Sequence, residues 1–419
     1  MRKKNLTSLL GALAVVTAFG TASCAPAASS SSSVSSTDST TSSTTSSVVT
    51  VPSTAKIALI TDVGTIDDRS FNQGTWEGIK AFAAEHNLVE NTNYKYFKPE
   101  GDETAGTEEY IAAIDLAVTW GAQIIVCPGY LFEEPIHAAQ ATYPNVKFVI
   151  LDGAPHSGNY VTDIGDNSLS LMFREEESGF LAGYAAVMEL YDDAAPTDLP
   201  TLGFMGGMPF PAVQRFGLGY VAGAYKAANV LDLDNFYFDD DNYSYLGTFA
   251  PDARIVTEAE AWYTRGVDVI FACAGGSGTS VMSAAANKDK WMIGVDVDQS
   301  AQSPTVLTSA MKGLGTATQL ALNDFYFHDF SRGGTQYYLS VDNNGVGLPT
   351  ESYLVEEATI DPWRFENFTK AEYEALYQDI IDGEIVPPGD YAELYAYVAV
   401  LGYTLLISGE QMTAAPATN

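Results

Sequence analysis

Between residues 56 and 328 the chain alternates short apolar runs with longer amphipathic stretches. Runs bounded by polar loops predict strands at 56–61, 94–98, 123–127, 147–152, 200–205, 268–272 and 292–295. Helical spacing between them predicts helices at 74–86, 107–119, 135–143, 175–191, 212–229, 252–265, 280–287 and 311–328. Continuous apolar strands suit a parallel sheet covered on both faces. Their alternation with helices implies an α/β sandwich. The helix at 175–191 opens with Glu175, Glu176 and Glu177, an acidic first turn that suits the positive end of the helix dipole. Further along it, Gly179, Ala182, Gly183 and Ala186 share one face. That spacing allows close packing and reads as scaffold.

The two ends depart from this pattern. Arg2, Lys3 and Lys4 precede an apolar run over 9–19, then Ala22, Ser23 and Cys24. The run is shorter than the ~20 residues needed to span a bilayer, so 1–23 reads as a secretory signal. Cys24 directly after the cleavage point is a candidate for lipidation, although Thr21 stands where such signals usually have Leu. Residues 24–52 are mostly Ser, Thr and Ala and read as a flexible tether. Residues 409–419 read as a disordered tail.

Composition narrows the function. Of 419 residues, about 360 remain for folding, which suits two lobes. The net charge of −33 becomes −36 once the three basic residues of the signal leave. Such a chain lacks the positive surface that nucleic acid requires. Besides Cys24, Cys127 and Cys273 each end an apolar run and read as buried, inert thiols. The four histidines (His86, His137, His156 and His328) have no metal-ligand spacing. The acidic run from Asp239 has Ser244 and Ala250 where a calcium loop needs Gly and Glu. Gly275, Gly276, Ser277 and Gly278 follow a strand, but no Lys-Ser or Lys-Thr completes a P-loop. No metal or cofactor is expected. The loop after the first strand carries Asp62, Gly64, Phe71 and Asn72, at the strand end where open α/β sheets bind ligands.

Eight stretches in order carry a family resemblance: DVGTIDDRSFNQGTWEG, YPNVKFVILD, ESGFLAGYAA, MGGMPFPAVQRFGLGYVAGA, GTFAPDARIVTEAEAWYTRGVDVIFACAGGSG, GVDVDQ, VLTSAMKG and NNGVGL. The sequence resembles the basic membrane protein family, the substrate-binding lipoproteins of ABC importers typified by purine nucleoside receptors. The resemblance implies a type I periplasmic binding protein-like fold, with two doubly wound parallel-sheet lobes joined by three crossovers. It puts the crossovers near Asp166, Asp296 and Gly333. The lobes are then 53–166 with 297–332, and 167–296 with 333–408.

The resemblance also implies a ligand site in the cleft. Asp62, Phe71, Asn72 and Asp152 come from the first lobe, and Phe249, Gly275 and Gly276 from the second. Asp296 sits at a crossover and Lys312 at the start of the following helix. Phe71 and Phe249 are expected to sandwich a flat base as the lobes close, with Tyr245 able to replace Phe249. Carboxylates accept strong hydrogen bonds, so Asp152 is assigned to the base edge. Asp296 and Lys312 are assigned to the ribose hydroxyls, Lys312 also offsetting Asp296. Asp62 reads as a ligand contact or a loop cap, and the glycines as points of close backbone approach. No catalytic residue is expected, because a nucleoside hydrolase needs a metal cluster or an activated nucleophile. The implied protein is a lipid-anchored, extracytoplasmic monomer that binds a nucleoside and serves a permease and an ATPase. The alternative is a surface sensor or adhesin of the same fold.

Overall fold

A computed structural model describes residues 50–101, 104–195, 198–355 and 357–413. The expected signal segment, Cys24, the tether as far as residue 49 and the tail from residue 414 lie outside the described residues.

The chain runs β1 (Ile57–Ile60), α1 (Phe71–Glu85), β2 (Tyr94–Phe97), α2 (Thr107–Trp120), β3 (Ile124–Pro128), α3 (Glu133–Thr142), β4 (Lys147–Leu151) and β5 (Ser168–Phe173). It continues through α4 (Glu175–Leu190), β6 (Leu202–Gly206), α5 (Pro211–Val230), β7 (Tyr243–Tyr245), α6 (Ala253–Thr264), β8 (Val269–Cys273), α7 (Gly278–Lys288), β9 (Trp291–Asp296) and β10 (Val306–Lys312). Then come α8 (Leu314–Phe327), β11 (Thr335–Leu339), β12 (Val346–Gly347), the hairpin β13 (Tyr353–Val355) and β14 (Ala358–Ile360), and helices α9 (Lys370–Ile381), α10 (Tyr391–Val400) and α11 (Gly409–Thr413).

The strands form two six-stranded sheets, ordered β11-β5-β4-β3-β1-β2 and β12-β10-β9-β8-β6-β7. Within these two sheets the pairings are parallel except β10 with β12, and the separate hairpin β13–β14 is antiparallel. The fold is therefore α/β, as expected. Successive strand residues point to opposite faces. In β1, Ile57 and Leu59 join the core with Trp76 and Phe82 of α1, whereas Ala58 and Ile60 join Tyr110 and Ile136 on the other face. Both faces are apolar because helices cover both. Cys127 and Cys273 are buried and unpaired.

The crossovers are not at the expected places. Asp166 precedes β5, which pairs with β4, so the chain is still in the first sheet there. Asn167 donates to the carbonyls of Gln140, Tyr143 and Val146 and pins the start of that strand. The chain leaves the first sheet at Arg174, between β5 and α4. Asp296 ends β9, but β10 returns to the same sheet, so the second crossover is at Gly313. Gly333 precedes β11, which pairs with β5, and the third crossover lies between β11 and β12. Lobe changes thus occur at strand carboxyl ends, and strands 168–173, 306–312 and 335–339 belong to the opposite lobes from those expected. The crossovers clasp one another: Arg174 N–H donates to Leu339 O (2.9 Å) and Gly313 N–H to Gly345 O (2.7 Å).

Two further expectations are corrected. Met311 and Lys312 end a strand rather than begin a helix; the apolar run from Val306 pairs with β9, and Gly313 separates it from α8. The tail is ordered over 409–413. Met412 is fully buried, and its carbonyl accepts from the Tyr245 hydroxyl (2.8 Å).

Candidate functional site

The carboxyl ends of both sheets supply a shared set of polar and aromatic groups. The loop after β1 organises itself around Asn72. Its side-chain amide donates to Asp62 Oδ1 (2.7 Å) and Asp68 Oδ2 (2.8 Å), and its oxygen accepts the Asp62 N–H (3.0 Å). Asp62 Oδ1 also accepts the Gly64 N–H (2.8 Å). Asp62 therefore caps the loop with one oxygen and keeps Oδ2 toward Gly129, which the Phe71 ring also approaches. The amide of Asn72 is engaged by the loop, which makes it a positioning residue. Burial raises the Asp62 carboxyl to about 6, against the lowering effect of the Gly64 and Asn72 hydrogen bonds.

Lys312 is the hub of the cleft. It ends β10 in the second sheet, and its ammonium pairs with Asp152, which follows β4 in the first sheet. Glu175 Oε1 lies 3.4 Å away and Asp296 Oδ1 3.7 Å away. The ammonium also faces the rings of Phe71 (4.9 Å), Phe216 (5.4 Å) and Phe173 (5.7 Å). Burial disfavours its charge, but Asp152, Glu175 and Asp296 together hold the ammonium above its ordinary value. Lys312 thus offsets Asp296, as expected, but its closest partner is Asp152. Asp296 also accepts from Ser70 Oγ (2.6 Å), a second polar link between lobes. Both aspartates sit in left-handed backbone, φ 59° at Asp152 and 67° at Asp296, a conformation that short polar residues tolerate.

Glu175 and Arg215 complete the cluster. Arg215 Nε donates to Glu175 Oε2 (2.6 Å), and Glu175 is fully buried. Burial works against the Glu175 charge, yet Arg215 and Lys312 hold it below the ordinary carboxylate value. Glu175 is expected from the sequence only to suit the helix dipole, and Arg215 carries no expected role. The usable signal was one arginine within the apolar stretch around Phe216.

Burial raises the Asp152 carboxyl to about 7, with Lys312 pulling down and Glu175 adding to the rise. Its Oδ1 is buried with no hydrogen-bond partner. A carboxyl raised in the folded chain stabilises fully below its unfolded value of 3.8, and that stability is lost as pH rises through about 7. The wild type is thus expected to lose stability relative to Asp152→Asn between pH 4 and pH 7. Urea midpoints of both proteins across that range check this. A constant difference would mean that Asp152 titrates as an ordinary carboxylate.

The second lobe contributes Phe249. Its ring lies against Gly207 and Gly275, where a Cβ would crowd it at the first and touch it at 3.5 Å at the second. Ser277 holds this loop through its N–H to Phe249 O (2.8 Å) and its hydroxyl to Ala250 O (2.7 Å). Gly275 has φ +50°, which favours glycine. A Cβ on Gly276 would come 3.0 Å from Phe249 O. Gly275 therefore lies against the ring and Gly276 against the main chain of Phe249. Tyr245 is turned away, its hydroxyl bonded to Met412 O. Phe210, absent from the sequence reading, stacks on Phe249 at 5.7 Å and 19°.

A separate open groove of about 980 Å³ runs between α1, the start of α8 and α9. It reaches Asp296 and Lys312, but Phe71, Asp152 and Phe249 do not line it.

Comparison with known proteins places this geometry in context. A family described as "ABC transporter substrate-binding protein PnrA-like" matches residues 55–376. The "ABC transporter nucleoside-binding protein BmpA" of Lactococcus lactis subsp. cremoris is 32% identical over 358 residues, covering 81% of this chain and 90% of that protein. "Basic membrane protein A1" of Borrelia garinii is 27% identical over 336 residues, covering 80% and 88%. The crystal structure of an ABC transporter solute-binding protein from Aeropyrum pernix K1 is similar in fold, with a TM-score of 0.66 at 24% identity, covering 86% of this chain and all of that one.

Proposed function

From the premise that this chain belongs to the PnrA-like family of ABC transporter substrate-binding proteins, we propose that it captures a purine nucleoside between its lobes and delivers it to a membrane permease. Members of this family bind substrates for transport and are not enzymes. The observation that carries the ligand reading is the pairing of Lys312 from one lobe with Asp152 from the other, over the Phe71 ring. A hydroxylated sugar attached to a flat ring matches that chemistry. Phe71 and Phe249 take the two faces of the base, and hydroxyls reach Asp296 and Lys312. The free oxygens of Asp62 and Asp152 accept from N–H groups of the base.

Attachment to the membrane is assigned to lipid on Cys24 on the extracytoplasmic side. No helix among the described residues is long and apolar enough to cross a bilayer. The protein is taken to work as a monomer.

The test is thermal stability against a panel of nucleosides, bases and sugars, then calorimetry on the hits. A ligand at 100 times its Kd stabilises by about 2.7 kcal/mol. Purine nucleosides are expected to raise the melting point. Phe71→Ala is expected to weaken them about 10- to 100-fold, the scale of one lost base–aromatic stack. A folded protein that responds to no nucleoside would overturn the ligand assignment.

A further inference from the structure

Two aromatic rings from opposite lobes meet across the cleft on loops that do not belong to the hinge. Tyr130 opens a short 3₁₀ turn, Tyr130–Phe132, just after β3. Gly129 before it has φ +109° and turns the chain there. Phe210 directly precedes α5, whose first residue Pro211 fixes the entry of that helix. The Tyr130 and Phe210 ring centroids are 4.2 Å apart and tilted by 42°. Phe210 in turn lies on Phe249. A column of three rings therefore runs from the first lobe to the floor of the second. Tyr130 and Phe210 are both half-buried, so the junction between lobes is partly open to solvent.

We propose that Tyr130 and Phe210 are the gate of the cleft. Hinge rotation separates groups held on different lobes. This ring pair forms when the lobes are shut and parts before a ligand can enter or leave. The charged cluster at Lys312 holds the lobes together from the hinge side, next to the Gly313 crossover. Phe210 couples the gate to the site, because the ring it stacks on is the one assigned to the base. The gate thus sets the lifetime of the bound state. Its assignment to ligand traffic rests on the proposed nucleoside reading; its role in lobe closure does not.

Two measurements on the full chain carrying Cys24→Ser test the gate separately from the ligand. Leu116 on α2 and Tyr237 after α5 are exposed, at 59% and 56%. Spin labels at Leu116→Cys and Tyr237→Cys report the lobe separation without any ligand. Tyr130→Ala and Phe210→Ala are expected to shift the distance distribution to longer values, and Tyr130→Phe to leave it unchanged. In stopped-flow displacement, inosine is expected to leave Tyr130→Ala about tenfold faster, the scale of one aromatic pair. Tyr130→Phe, which keeps the ring, should match the wild type. Unchanged distances in both alanine variants would overturn the gate. Equal inosine release from folded Tyr130→Ala and wild type would overturn its control of ligand lifetime. If the wild type binds neither inosine nor guanosine, the nucleoside reading fails while the distances still decide the gate.

Discussion

Lys312→Met is expected to cost the protein about 3–5 kcal/mol and to abolish binding of the cleft ligand. The substitution keeps a flexible stem of similar length and removes only the charge. Asp152, Glu175 and Asp296 then face one another with Arg215 as the remaining cation of the cluster. Removing one partner of a buried ion pair leaves an uncompensated charge, and the quoted range is the usual cost. Protonation offers the cluster a way out. The urea midpoint of Lys312→Met should therefore recover toward wild type as pH falls, and Asp152→Asn in the same chain should recover part of it at neutral pH. A midpoint equal to wild type at pH 7 would mean that the carboxylates are solvated well enough to need no cation.

Gly183→Leu is expected to prevent the normal packing of α4 on α5, with a loss at or above the ~3 kcal/mol upper end usual for overpacking. The two helices meet backbone to backbone through four glycines. A Cβ on Gly179 or Gly183 would run into the carbonyls of Phe216 or Tyr220, and one on Gly219 or Gly223 into those of Glu176 or Phe180. Overpacking is tolerated when a flexible side chain can move aside, and here the obstacle is main chain. The damage should extend to the site, since Glu175 begins α4 and Arg215 lies on α5, one turn before Gly219. Denaturant midpoint and soluble yield read the effect, with Ala392→Leu on the exposed side of α10 as control. Equal midpoints for Gly183→Leu and wild type would sink the argument.

The sequence by itself determined much of the strand–helix alternation as far as β9, where most strands are short apolar runs and the helices carry apolar stripes; it did not mark β5, β7, the strands after β9 or the helices after α8. It also determined the family, through ordered motifs, and the small face of α4. The tertiary structure decided where the lobes exchange chain. Hydropathy marks that a strand is buried and says nothing of which sheet buries it, and crossovers placed by resemblance put 168–173, 306–312 and 335–339 in the wrong lobes. Met311 and Lys312 are expected to begin a helix because local spacing there fits either structure, and pairing with β9 makes them strand.

Asp62, Phe71, Asp152, Asp296 and Lys312 could be picked out because strand ends and family wording both point there. Their partners could not. The ion pair of Lys312 with Asp152 joins residues 160 apart, and the contact of Tyr130 with Phe210 joins two loops from different sheets. Chain pattern records the environment a residue needs along its own element. Which distant group supplies that environment is fixed only when the two sheets close on each other.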